Sequence, residues 1–285
     1  MMQSSDLAKR LQIKAYELRK EVIDMIYHGG SGHPGGSLSS AEIVTTLYFA
    51  IMNIDPRRPA WEDRDRFVLS KGHCAPIVYA ALAHKGYFPR EELKTLRHIN
   101  SILQGHPDAR KTPGIDMTSG SLGQGLSVGL GMALGAKQLR KNFHVYVLLS
   151  DGELQEGMIW EAVMASSHYK VDNLTALVDY NNLQVDGHVN EVMNIEPLVD
   201  KWRSFGWETL IVGGHDTAQL LAALTFRKSI PAKPVVIICH TIKGKGVSFM
   251  EDVMEWHASS ISAEQREKAL QELSATLEQL QEAMN

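Results

Sequence analysis

Along the chain, apolar positions alternate between helical spacing and short unbroken runs. Residues 6 to 27 place Leu7, Leu11, Leu18, Val22 and Ile26 on one stripe, which predicts an amphipathic helix. The loop GGSGHPGGSLSS follows, and Ser39-Ser40 stand where they can cap a helix over AEIVTTLYFAIM. RFVLS, at 66 to 70, reads as a strand, KGHCAP as a loop and IVYAALAHKG as a helix. A long loop over 100 to 119 carries Gly105-His106-Pro107, and a small-residue helix, LSVGLGMALGAKQL, starts near 126. Next come the strand FHVYVLL, the helix LQEGMIWEAVMASSHY and the strand NLTALVDY. WETLIV and PVVIICHTI read as strands around the helix TAQLLAALTFRKS. Residues 262 to 284 form a last amphipathic helix, with leucines at 270, 273, 277 and 280.

Strands that are continuous apolar runs, separated by helices, indicate a parallel sheet covered on both faces. The expected fold is therefore α/β, a mostly parallel sheet with helices on both sides, in one domain over 1 to 285. No internal repeat, low-complexity segment or linker divides it. Composition adds mainly exclusions. A net charge of −4 gives no reason to expect nucleic acid or an anionic membrane as partner. Cys74 and Cys239 have no CxxC spacing, which argues against a disulfide framework or structural zinc and fits a reducing, cytoplasmic setting. The polar start MMQSSDLAKRLQIKAYELRK has no apolar signal core, and no apolar run is long enough to span a membrane.

Candidate chemistry appears where strands end. FHVYVLL runs into Ser150-Asp151-Gly152, and NLTALVDY into Asn181-Asn182-Leu183. In a parallel sheet, ligands gather beyond the carboxyl ends of the strands. Asp151 and Asn181 are 30 positions apart, one strand–helix–strand unit, so the two strands are expected to be neighbours with both residues on one edge. A carboxylate, a carboxamide and a nearby carbonyl are hard oxygen ligands that suit magnesium or calcium rather than zinc. Gly152 admits close approach of a ligand, and the following helix offers free N–H groups to a phosphate. The combination predicts a divalent ion bridging a diphosphate. Each feature also has a plain structural reading. Asp151 can cap a helix from 153, Glu153 and Glu156 can complement its dipole, and Asn181-Asn182 can be a turn.

SDGELQEG, with NNLQVDG thirty residues after its aspartate, resembles the thiamine-diphosphate motif of transketolases. The resemblance covers nearly the whole chain, since SGHPGGSLS, LSKGHCAPIVYAAL, GHP, SGSLGQGLSVGLGMAL and TIKGKGVSFMEDVMEWH follow in family order. It implies a thiamine-diphosphate-binding domain of the diphosphate type. Asp151 and Asn181 would hold magnesium through side chains and Leu183 through its carbonyl, with calcium or manganese as substitutes. Asn181 and Gly152 would also meet the cofactor, and His73 would reach its diphosphate. Gly120, Ser121 and Leu122 would line it near the aminopyrimidine. His33, His106 and His257 would be the catalytic histidines, directed at the sugar, with His257 and Lys243 also against the cofactor. Glu156 would belong to the cofactor site too, and it matches a family glutamate that faces its symmetry mate across a subunit interface.

Histidine is the side chain best suited to exchange protons near neutrality. His28, His84, His98, His168 and His188 are read as ordinary surface or core residues, whereas the four motif histidines sit in loops expected near strand ends. KGKG lacks the GxxxxGK[ST] spacing of a phosphate loop, and GSLGQG fails the GxGxxG dinucleotide pattern. Two positions depart from the family. Ser150 stands where the motif usually begins with glycine, and Ser121 where many members have proline.

Full transketolases resemble this chain only over their first half; the rest carries a pyrimidine-binding domain and most of the substrate-phosphate contacts. The resemblance therefore implies the N-terminal subunit of a split transketolase, moving a two-carbon ketol unit from a ketose phosphate to an aldose phosphate. It would act only with a separate pyrimidine-domain chain, assembled as two of each. A deoxyxylulose-phosphate-synthase-like fragment and a non-catalytic binding or regulatory subunit are the alternatives.

Overall fold

The computed structural model describes residues 4–284. In chain order its helices are α1 (Ser4–Gly29), α2 (Pro34–Ser39), α3 (Ala41–Thr46), α4 (Ala75–Lys85), α5 (Gln124–Gln138), α6 (Gly157–His168), α7 (Val189–Val192), α8 (Leu198–Ser204), α9 (Thr217–Phe226) and α10 (Ala263–Glu282). Its strands are β1 (Arg66–Leu69), β2 (Val145–Ser150), β3 (Leu174–Tyr180), β4 (Leu183–Gln184), β5 (Gly187–His188), β6 (Glu208–Gly213) and β7 (Val235–His240). The short β4 and β5 pair as an antiparallel hairpin. The others make the main sheet, wholly parallel, in the order β1-β2-β3-β7-β6.

The alternation of side chains along each strand builds two cores. Phe67, Leu69, Tyr146, Leu148 and Leu177 face α1, α3, α4 and α9. Val68, Val145, Val147, Leu149, Ala176 and Val178 face α5, α6 and α8. Both faces are covered, so the strands are apolar at nearly every position, as the unbroken runs predict. β2 and β3 are neighbours, with Ser150 opposite Asp179. The chain steps from β1 through β2 to β3, then returns from the edge strand β6 to β7 beside β3. That reversal puts the crossover helix α9 on the opposite face from α5 and α6, as right-handed crossovers require.

Three local expectations are corrected. The segment read as the loop GGSGHPGGSLSS contains the buried helix α2. Ser39 and Ser40 do not cap α3 through their side chains; both hydroxyls turn to Asp179 and to the Gly36 carbonyl. The helix expected from 153 is a 3-10 turn over Gly152–Gln155, broken at the extended residue Glu156, before α6 begins. The pattern also gives no sign of β4, β5, α7 or α8, and the helix read over AEIVTTLYFAIM is α-helical only to Thr46 before a π turn over Leu47–Ile51. The remaining helices and strands fall near their expected positions, and α10 carries a Ser262–Gln265 capping box.

Candidate active site

Because the strands are parallel, β1, β2, β3 and β7 all end on one edge and deliver Lys71, Asp151, Asn181 and Lys243 to it. β3 and β7 flank the point where the chain reverses direction, the usual place for a crevice in such sheets. An open cleft of about 240 Å³ lies there, lined among others by Gly36, Lys71, His73, Leu122, Asp151, Gly152, Glu156, Asn181, Leu183, Lys243 and His257.

Asp151 is 1% exposed, and its two carboxylate oxygens accept hydrogen bonds from the backbone N–H groups of Gly152 (2.8 Å) and Asn182. Asn181 folds back, its Oδ1 accepting from the Leu183 N–H at 3.1 Å, and the Leu183 carbonyl accepts from Lys243 Nζ at 2.7 Å. The three oxygens that sequence reasoning pairs with a metal thus share one corner. Burial, with the negative charge of Asp179 nearby, pushes the Asp151 carboxyl up to about 6. That is the condition of an anion short of positive charge, and a divalent ion among hard oxygens would relieve it. Among the described residues no three His, Cys, Asp or Glu side chains cluster as a metal site. The donors here are one carboxylate, one amide and one carbonyl, and they fit magnesium. Lys243 is 3% exposed, and burial lowers its ammonium to about 8.

Beneath this corner lies a buried pair that the sequence reading missed. Asp179 is fully buried and accepts from Lys71 Nζ, Ser39 Oγ (2.6 Å), Thr241 Oγ1 and Asn181 Nδ2 (3.1 Å). Lys71 also donates to the Gly36 carbonyl at 3.1 Å. The pair ties β1, α2, β3 and the segment after β7 into one base. Glu153, 0% exposed, accepts from Ser70 Oγ, the Gly123 N–H (2.9 Å) and the Ser150 N–H (3.2 Å). It therefore pins the start of α5 to the ends of β1 and β2 rather than complementing a helix dipole. A lone acid inside an apolar strand, as in NLTALVDY, is the signal that could have revealed Asp179.

The four motif histidines converge. Ring centroids of His33 lie 5.3 Å from His73, 5.9 Å from His106 and 5.7 Å from His257, and His73 stacks on His257 at 5.1 Å. Backbone bonds between Gly32 and Ser259 (3.1 and 2.9 Å) clamp the His33 loop to the His257 loop. Lys243 Nζ lies 2.9 Å from His257 Nδ1. Burial, reinforced by Lys243, lowers His257 to about 3, and burial with Arg97 lowers His33 to about 4. His73 and His106 are lowered too, so at neutral pH all four are uncharged. Gly120 lies against the His106 ring, and Ser121 and Leu122 are exposed beside it. Glu156 is exposed at the cleft rim. Of the histidines read as ordinary, His84 pairs with Glu21 (3.0 Å) and His28 with Asp24 (3.6 Å).

Residues 11–279 match the family described as "Transketolase, thiamine diphosphate binding domain". The chain belongs to the transketolase family. It is 46% identical to the 6-deoxy-6-sulfo-D-fructose transketolase subunit of Clostridium sp. (strain MSTE9), over 92% of this chain and 96% of that one. It is 43% identical to an apulose-4-phosphate transketolase subunit of Phocaeicola vulgatus, over 96% and 98%. It superposes on the transketolase of Campylobacter jejuni with a TM-score of 0.87 and 32% identity, covering 93% of this chain and 42% of that longer one. The chain thus spans less than half of that solved transketolase and nearly all of the two subunits. Transketolases are transferases, and the match favours this reading over a synthase-like fragment.

Proposed function

We propose that this chain is the thiamine-diphosphate- and magnesium-binding subunit of a split, cytoplasmic transketolase. It transfers a two-carbon ketol unit from a ketose phosphate to an aldose phosphate. The observation that carries the reading is the joining of two sets of groups at one sheet edge: the oxygens of Asp151, Asn181 and Leu183, and the four uncharged imidazoles. Asp151, Asn181 and the Leu183 carbonyl hold the ion, with Lys243 beside them; His73, Gly120, Ser121, Leu122 and Gly152 meet the cofactor. Thiamine diphosphate, when bound, supplies the carbon nucleophile and electron sink for breaking the bond between C2 and C3 of the ketose.

The protein's own groups orient the sugar and move protons. An uncharged imidazole can accept a hydrogen bond or a proton, which a protonated ring cannot. His33, His106 and His257 therefore accept from sugar hydroxyls and exchange protons as the bond breaks and reforms. Burial, reinforced by the Lys243 ammonium, keeps His257 neutral, and Lys243 offers it a hydrogen bond.

The second chain supplies a pyrimidine-binding domain. Two relatives matched nearly end to end carry the word subunit in their names, which supports this division. Their named substrates are a sulfonated ketose and a ketose phosphate, so anionic ketoses are the first donors to test. Self-association of this chain is supported by the exposed apolar side chains Val128 on α5 and Met158 and Met164 on α6.

The test begins with affinity capture of the tagged chain from its native cells and identification of a stoichiometric partner by mass spectrometry. The reconstituted complex, given thiamine diphosphate, magnesium and a ketose phosphate, should extend an aldose phosphate by two carbons. The isolated chain should not. Turnover by the single chain would refute the split-enzyme reading, and an inactive complex would refute the transketolase reading.

A further inference from the structure

Arg97 has an unusual backbone beside the imidazole cluster. It follows the 3-10 turn Arg90–Thr95 and adopts a φ of +62°, in the left-handed region that side-chain-bearing residues rarely occupy. Such outliers persist where surrounding structure holds them and often mark functional positions. Here the Arg97 N–H donates to the Leu103 carbonyl at 2.8 Å, which fixes the turn.

The guanidinium reaches two loops. Nη1 donates to Ser31 Oγ at 3.0 Å, two residues before His33. The rest of the group lies close against Gly105, the residue before His106. A methyl group built on Gly105 would come 2.8 Å from Nε, 2.9 Å from Nη2 and 3.0 Å from Cζ. Arg19, Arg64 and Arg266 each pair with a carboxylate, but among the described residues none pairs with Arg97.

We propose that Arg97 is a positioning residue that ties the His33 loop to the His106 loop and holds a fixed positive charge beside both imidazoles. A planar fork suits this task, because Nη1 can donate to Ser31 while Nε and Nη2 lie close against Gly105; a lysine ammonium supplies the charge without the fork. The groups facing His33 are Arg97, Lys243 and the rings of His73, His106 and His257. Those facing His106 are Arg97 and His33. No carboxylate is among them, so nothing offsets the guanidinium. Its charge adds to burial in keeping both rings unprotonated, the form in which they accept protons.

The first arm of the test needs no partner chain. Ring protons of His33 and His106 are titrated by NMR in the full chain, as wild type, Arg97→Met and Arg97→Lys. Arg97→Met should raise both midpoints by about half a pH unit or more, and Arg97→Lys by less. Unmoved midpoints in an Arg97→Met chain that melts like wild type would overturn the proposal. If that variant does not fold, Ser31→Ala and Gly105→Ala each disturb one contact of the guanidinium, and unmoved midpoints in both would overturn it equally. The second arm rests on the transketolase reading and uses the reconstituted complex. There Arg97→Met should lower kcat about 10-fold or more and move the acid limb of kcat/KM upward, whereas Arg97→Lys should lower kcat with a smaller movement of the limb. A wild-type kcat and pH profile in Arg97→Met would overturn the proposal. A wild-type complex without ketol transfer refutes the function while the ring titrations still decide the role of Arg97.

Discussion

Asp151 shows how much one residue's surroundings add to its identity. The sequence presents an acid at a strand end; the fold buries it to 1% exposure beside Asp179 and raises its carboxyl to about 6. Because the folded state binds this proton more tightly than the unfolded chain, the group costs stability above pH 6. That cost is relieved as pH falls from about 6 toward the unfolded value near ~4. Metal binding requires the ionised form, so it competes with the same proton. Magnesium with thiamine diphosphate should therefore raise the melting temperature at pH 7.5, and the gain should shrink sharply at pH 5.5. Asp151→Asn should abolish it at both. Differential scanning fluorimetry decides this, and an equal gain at the two pH values would remove Asp151 from the metal site. The motif positions stood out in the sequence because each sets a chemical group in a loop, most of them rich in glycine. Lys71, Asp179, Glu153 and His215 were not, because they act through partners far away in sequence. His215, for example, links Glu42 (2.9 Å) to the Ile242 N–H (2.8 Å), next to Lys243.

At the scale of elements, helix propensity and packing pull in different directions. PGGSLS has poor helix formers, yet α2 forms, because all six residues are buried and held by contacts outside the segment. A Cβ on Gly36 would sit 2.5 Å from Cys74 Sγ, so glycine is what lets α2 approach the KGH loop. The small residues of α5 divide in the same way. A Cβ on Gly129 would meet Val147 Cγ2 at 2.5 Å, while one on Gly131 would meet nothing within 4 Å. Gly→Ala in an open helical position stabilises by about 1 kcal/mol, and overpacking costs about 1–3 kcal/mol. Gly131→Ala should thus raise the urea midpoint of the isolated chain, and Gly129→Ala should lower it. Equal effects from the two would mean that α5 does not pack on β2 as described. In sequence, SGHPGG and GSLGQG mark where glycines gather near chemistry, but not which of those glycines face a neighbour.

Over the whole molecule, the cleft is open, Leu122 on its lining is 37% exposed, and Met158 and Met164 on α6 are 36% and 58% exposed. Exposed apolar side chains gathered on one face mark an association surface. Met158→Glu combined with Met164→Glu should shift the sedimentation coefficient of the chain toward the monomer value. Because both side chains lie at the surface, the melting temperature of the monomer should change little. A sedimentation profile that is unchanged from wild type would place the contact between copies elsewhere.

The sequence by itself determined the parallel α/β architecture, because strands buried on both faces must be apolar throughout and helices must repeat near every fourth residue. It also marked loops in which glycines, acids and histidines gather, several of which the fold brings together along one cleft. Only the tertiary structure decided the condition of those groups. It alone made Asp151 reluctant to ionise, kept four imidazoles uncharged and set Arg97 across two loops. Those properties arise from burial and from charges contributed by distant segments, which no local pattern encodes.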